Sequence, residues 1–203
     1  MFVRRESFRE FLRRYPFLSL IIAVNIAVFI YTALRFGVND SFSLVYFAGI
    51  VPETVMVGQY WRFFTYAFLH DGFMHLIMNM FFLIVIAPPL ERIIGHLRMM
   101  LLFVFSVAST SLLVYTAGTQ YGVGASGFAY GVLGLFLYIV LHHKDFIDPD
   151  SRKIVLIWMA IGWAGTLIIP GISFYGHLGG FIGGFLFGLI GVNNRASLRS
   201  WRD

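Results

Sequence analysis

The 203-residue chain contains no cysteine. That absence removes disulfides, thiol nucleophiles and thiolate metal sites. Charge is scarce as well: Asp, Glu, Lys and Arg make up 12% of the residues, roughly half of what a soluble domain carries. No His-Glu-x-x-His string occurs, and no apolar run contains an Asp, so zinc- and aspartyl-type intramembrane chemistry lacks its ligands and its acids. Internal repeats and low-complexity segments are absent too. No small-residue cleavage site follows the first apolar run, so no cleavable signal peptide is expected.

What is present is apolar. Hydrophobic residues form 59% of the chain, and the mean hydropathy is +0.80. Runs of about 18 or more such residues read as membrane helices. Six runs occur, near 16–34, 72–89, 99–116, 126–141, 154–169 and 177–191. The reading is an all-α membrane protein, a six-transmembrane-helix bundle with no soluble domain. The first run holds Asn25. The second is expected to end where Pro88-Pro89 break the helix, before Glu91-Arg92. The third carries Ser106, Ser109, Thr110 and Ser111, and the fifth stops at Pro170-Gly171. Residues 1–16 predict a basic amphipathic segment on the membrane surface. Residues 17–193 form the six-helix domain, and 194–203 a basic tail.

Arg4, Arg5, Arg9, Arg13, Arg14, Arg92, Arg98, Lys144, Arg152, Lys153, Arg195, Arg199 and Arg202 all fall on one side of such a bundle. Only Arg35 and Arg62 fall on the other. The excess of positive charge places both termini in the cytoplasm and accounts for the net charge of +5 by topology, so no nucleic-acid partner is expected. The protein then belongs in the cell (inner) membrane as a multi-pass protein, with the lipid bilayer as its surroundings. Ser126 and His177 each open an inward-going run, and His75 and Asn79 sit in the first turns of another. Four polar side chains from three helices thus share a shallow layer open to the periplasmic or extracellular side.

Polar groups inside a membrane are costly, and function is their default reading. A Ser hydroxyl needs a base in reach, and His177 is the one histidine within the last four runs. Gly127 and Gly131 on the fourth run, and Gly180, Gly184 and Gly188 on the sixth, form small faces that allow close approach. Tyr130, one turn below Ser126, is placed to pack under the imidazole. His75 and Asn79, at i and i+4, and the Ser126 amide are candidate oxyanion donors. No carboxylate lies within the last four runs, so a Ser126–His177 dyad is expected rather than a triad. Each feature also has a plain structural reading. The serine could cap a glycine turn, Asn79 bridge two helices, His75 sit at the interface, and Trp61 belong to an aromatic belt. Asp71 reads as a helix N-terminal residue, and His70, His142 and His143 as interfacial or solvated.

At this point the chain resembles a rhomboid intramembrane serine protease across nearly its whole length. Trp61-Arg62 resembles that family's Trp-Arg loop motif. His70-Asp-Gly-Phe-Met-His75-Leu-Ile-Met-Asn79 is similar to its His…His-x-x-x-Asn pattern. Gly124-Ala125-Ser126-Gly127 is similar to its nucleophile motif, and Gly176-His177-Leu178-Gly179-Gly180 to its His-led last span. The resemblance implies that Ser126 is the nucleophile and His177 the base, cutting transmembrane segments of membrane-protein substrates near their outer end. It implies oxyanion contacts from His75, Asn79 and Ser126, with Tyr130 beneath His177. It also implies a supporting loop around Trp61 and Arg62, and lateral entry gated by the fifth span. No cofactor and no metal are expected. A rhomboid-like binding module that does not cut is the second reading, although such proteins typically lack the serine or the histidine. A small channel or transporter is a third, but it requires polar residues deeper in the spans than this sequence has.

Overall fold

A computed structural model describes residues 1–38, 40–51, 57–117, 121–192 and 198; the tail assigned to 194–203 otherwise lies outside them, as does Pro52. Among the described residues the chain is helical, with one isolated bridge pair, Ile50 with Gly122. The helices are α1 (Phe8–Arg14), α2 (Pro16–Phe36), α3 (Ser41–Ala48), α4 (Arg62–Thr65), α5 (Phe73–Ile94), α6 (His96–Ala117), α7 (Ser126–His142), α8 (Pro149–Ile168) and α9 (Phe174–Gly191). Five of them, α2, α5, α6, α8 and α9, are long and apolar enough to cross a membrane, and α7 is a shorter apolar helix of 17 residues.

Helix starts follow local chemistry. Ser7 and Glu10 form a reciprocal capping box on α1. Asp148 accepts the N–H of Ser151 at 2.9 Å, and Pro149 suits the first position, so α8 begins five residues before the apolar run does. Ser173 accepts the N–H of Gly176 at 3.0 Å, which starts α9 at Phe174 and sets His177 in its first turn. The start of α2 has no side-chain cap of its own. Instead the Glu91 carboxylate, fully buried, accepts the N–H groups of Phe17 and Leu18 at 3.0 Å each and contacts His96 Nδ1 at 2.7 Å. A carboxylate at a helix N-terminus satisfies orphan donors and complements the dipole.

Pro88 and Pro89 do not end their helix. α5 runs through both to Ile94. Pro88 has no N–H for the carbonyl of Ile84, one turn earlier. Arg4 Nη2 donates to that carbonyl at 2.7 Å. A donor 80 residues away in sequence thus replaces the one proline removed.

The bundle is built around α7. A helix that is apolar all round belongs in an interior, and nearly every α7 side chain from Gly127 to Ile139 is buried. At 17 residues it is about 25 Å long, shorter than the hydrocarbon core. A Cβ at Gly180 would overlap the Gly127 carbonyl, one at Gly184 the Gly131 carbonyl, and one at Gly134 the Phe181 carbonyl. α7 and α9 therefore meet backbone to backbone, as small-residue faces allow in lipid. α8 stands at the edge, burying only Ser151, Val155, Met159 and Thr166.

Candidate active site

The loop leading into α7 is tied down by three backbone hydrogen bonds. Ile50 and Gly122 exchange backbone hydrogen bonds of 2.9 and 3.0 Å, and the Gly124 N–H donates to the Tyr66 carbonyl at 2.9 Å. Ile50 is positioned in turn by Arg62. This guanidinium, 4% exposed, donates to the carbonyls of Val45 (3.2 Å), Tyr46 (2.5 Å) and Gly49 (3.0 Å) and to Gln59 Oε1 (2.6 Å). It gathers the end of α3, and Thr65 adds a bond to the Ala48 carbonyl at 2.8 Å. Trp61, beside Arg62 in sequence, is 55% exposed and stays away from this cluster.

Gly124 has φ +116°, a conformation open to glycine at little cost. A Cβ there would stand 2.7 Å from His75 Nε2 and 3.5 Å from Asn79 Nδ2. The two α5 side chains therefore converge on the loop two residues ahead of Ser126. His75 Nδ1 accepts the Asp71 N–H at 3.3 Å, so in the neutral ring the proton lies on Nε2, the nitrogen that faces Gly124. Asn79 is 6% exposed, and its Nδ2 is buried with no hydrogen-bond partner among the described residues. Ser126 is the first residue of α7, where backbone N–H groups have no intrahelical acceptor. The His75 and Asn79 donors thus converge at Gly124, two residues ahead of that amide.

His177, 8% exposed, is on α9, whose Gly180 packs on Gly127 beside Ser126. Tyr130 stacks on its ring, centroids 3.9 Å apart and planes 13° from parallel. Nδ1 contacts Thr166 Oγ1 at 2.7 Å, and the same oxygen contacts Tyr130 Oη at 2.6 Å. The Gly127–Gly180 contact sits one residue from Ser126 and three from His177. No direct Ser126–His177 hydrogen bond forms in this structure; Nε2 is the ring nitrogen left for one.

Thr166 escaped the sequence reading, which looked for a carboxylate. The available signal was that it is the sole hydroxyl in the fifth apolar run and lies near the C-terminal end of that run. His70 also differs from its reading: it is 2% exposed, with its ring 5.0 Å from that of His75. Burial, and then the neighbouring His75, push its pKa down to about 3. His142 is exposed, as a solvated residue would be. Among the described residues no three His, Asp or Glu side chains converge as metal ligands.

A family model described as the rhomboid domain matches residues 57–194. The putative rhomboid protease YdcA of Bacillus subtilis is 31% identical over 200 residues, 96% of this chain and 98% of its own. The rhomboid protease GlpG of Haemophilus influenzae is 25% identical over 185 residues, 90% of this chain and 94% of its own. The rhomboid protease GluP of Bacillus subtilis is 30% identical over 173 residues, 83% of this chain but 33% of GluP, so this chain corresponds to about a third of that protein.

Proposed function

The chain belongs to the rhomboid family, and on that premise we propose that it is an intramembrane serine endopeptidase working through Ser126 and His177. It is an integral, multi-pass membrane protein whose substrates are membrane proteins. The finer reading has six spans, the short α7 counted as the fourth, with both termini cytoplasmic and the site opening toward the periplasmic or extracellular side. The observation that carries it is His177, stacked on Tyr130 with Nδ1 engaged, held by a glycine contact beside Ser126.

The chemistry runs in two halves. Ser126 Oγ attacks the scissile carbonyl carbon while His177 Nε2 takes its proton. The carbonyl oxygen, now an oxyanion, receives hydrogen bonds from Asn79 Nδ2, His75 Nε2 and the Ser126 N–H. One such donor is worth roughly 10²–10³ in rate. The unpartnered amide of Asn79 suits this role, because its missing acceptor arrives only with the reaction. His177 then gives its proton to the leaving amine, and Ser126 is left as an ester. Water, deprotonated by His177, releases the new carboxyl end. Because α7 is short, Ser126 starts below the surface, at a depth a transmembrane segment reaches with its end.

A fluorophosphonate tests the assignment without a substrate. Labelling should map to Ser126 and disappear in His177→Ala; a label elsewhere, or one undiminished in that variant, would remove the pair. Wild-type protein that holds substrate uncut would favour the binding-module reading.

A further inference from the structure

We propose that Thr166 is a positioning residue for His177, its hydroxyl accepting the Nδ1 proton and so fixing the tautomer that leaves Nε2 as the base. The proposal rests on the protease reading above and adds to it a third group.

A threonine hydroxyl has one proton to give and two lone pairs to receive with. Thr166 Oγ1 has three partners: the Gly162 carbonyl at 2.9 Å, Tyr130 Oη at 2.6 Å and His177 Nδ1 at 2.7 Å. The carbonyl can only accept, so it takes the Thr166 proton. Both lone pairs are then open to the remaining partners, which must donate: Tyr130 through its O–H, His177 through Nδ1–H. All three contacts become hydrogen bonds, and Nε2 is left with a lone pair. If His177 instead carried its proton on Nε2, Thr166 would turn its own proton to Nδ1. The contact with Gly162 would then be lost, and Nε2 would face Ser126 as a donor, unable to take a proton.

In a Ser-His-Asp site a buried carboxylate holds the tautomer. A hydroxyl does so here without placing a charge in hydrocarbon, where charge is costly. One side chain also serves two rings, because Tyr130, which stacks on His177, donates to the same oxygen. α8 is otherwise the least buried of the long helices that close the site. Thr166 is nonetheless one of its few buried residues, at 6% exposure.

Three proteins, wild type, Thr166→Val and Thr166→Ser, test this in detergent against a single-span substrate. Thr166→Val, of similar shape, should lower kcat about 10- to 100-fold with KM within about twofold. Thr166→Ser should stay within about threefold of wild type in both. The ring ¹⁵N shifts of His177, assigned by their loss in His177→Gln, should place the neutral-ring proton on Nδ1 in wild type and Thr166→Ser and on Nε2 in Thr166→Val. A wild-type proton on Nε2 would overturn the proposal, and that measurement needs no Thr166 variant to fold. Unchanged kcat in Thr166→Val, or Thr166→Ser as impaired as Thr166→Val, would overturn it too. Ser126→Ala, run alongside, separates the two levels: cleavage surviving there sinks the protease assignment, whereas a silent Ser126→Ala with an active Thr166→Val sinks only the tautomer role.

Discussion

Adding one methyl group at Gly124 should disable the site through two separable effects. The first is strain, since φ +116° is a region where a Cβ costs about 1–3 kcal/mol. The second is a collision, because that Cβ would stand 2.7 Å from His75 Nε2 and 2.8 Å from its Cε1. Real Cβ contacts do not come so close, so the imidazole or the loop must move by several tenths of an ångström. Gly37 isolates the first effect: its φ is +92°, and nothing lies within 4 Å of an added Cβ. Gly37→Ala and Gly124→Ala should both lower the thermal midpoint in detergent, by about 2–4 °C for each kcal/mol. Only Gly124→Ala should lose cleavage, by about 100-fold or more in kcat/KM, as expected when an oxyanion donor is displaced. Initial rates on a single-span substrate, at matched folded concentrations, make the comparison. Gly124→Ala as active as Gly37→Ala would refute the placing of His75 beside the serine loop.

Two further predictions concern the scaffold. Arg62→Met should leave the carbonyls of Val45, Tyr46 and Gly49 without their donor and destabilise the protein by about 1–3 kcal/mol for each carbonyl left unsatisfied; Arg62→Lys should recover little of it, because one ammonium cannot match the guanidinium fork, and full recovery of the melting temperature by Lys would contradict this. His70 should make stability fall in acid. Its folded pKa of about 3 lies below the unfolded value of about 6.5. Stability is complete above pH 6.5 and declines below it by about 1.4 kcal/mol per pH unit, because the unfolded chain takes the proton first. Between pH 7 and pH 5 the loss is about 2 kcal/mol. Melting curves of wild type and His70→Phe over that range check it, and equal pH slopes in the two would be the contrary result.

The sequence disclosed most where one local rule decided the outcome. Hydropathy located the five helices long enough to cross a bilayer, and it found the shorter α7 because that helix is apolar throughout. Counting Lys and Arg set Ser126, His177, His75 and Asn79 at one expected depth. Misreadings arose where a distant group supplied what local chemistry lacked. Pro88-Pro89 read as a helix end because the proline rule counts nearby donors, and Arg4 lies outside any local window. No apolar run covers residues 35–71, yet α3 and α4 form there, drawn together by Arg62. His70 read as interfacial or solvated, and the solvated alternative fails because neither its burial nor its partner ring is visible in one dimension. Thr166 was passed over because a search for an Asp or Glu does not notice a hydroxyl.

The central claim is that Ser126 is the nucleophile, and cleavage of a single-span membrane substrate by purified wild type and Ser126→Ala tests it most directly. The account predicts product from wild type and none above the no-enzyme control from Ser126→Ala, with equal melting temperatures. Product from folded Ser126→Ala at a comparable rate would contradict it.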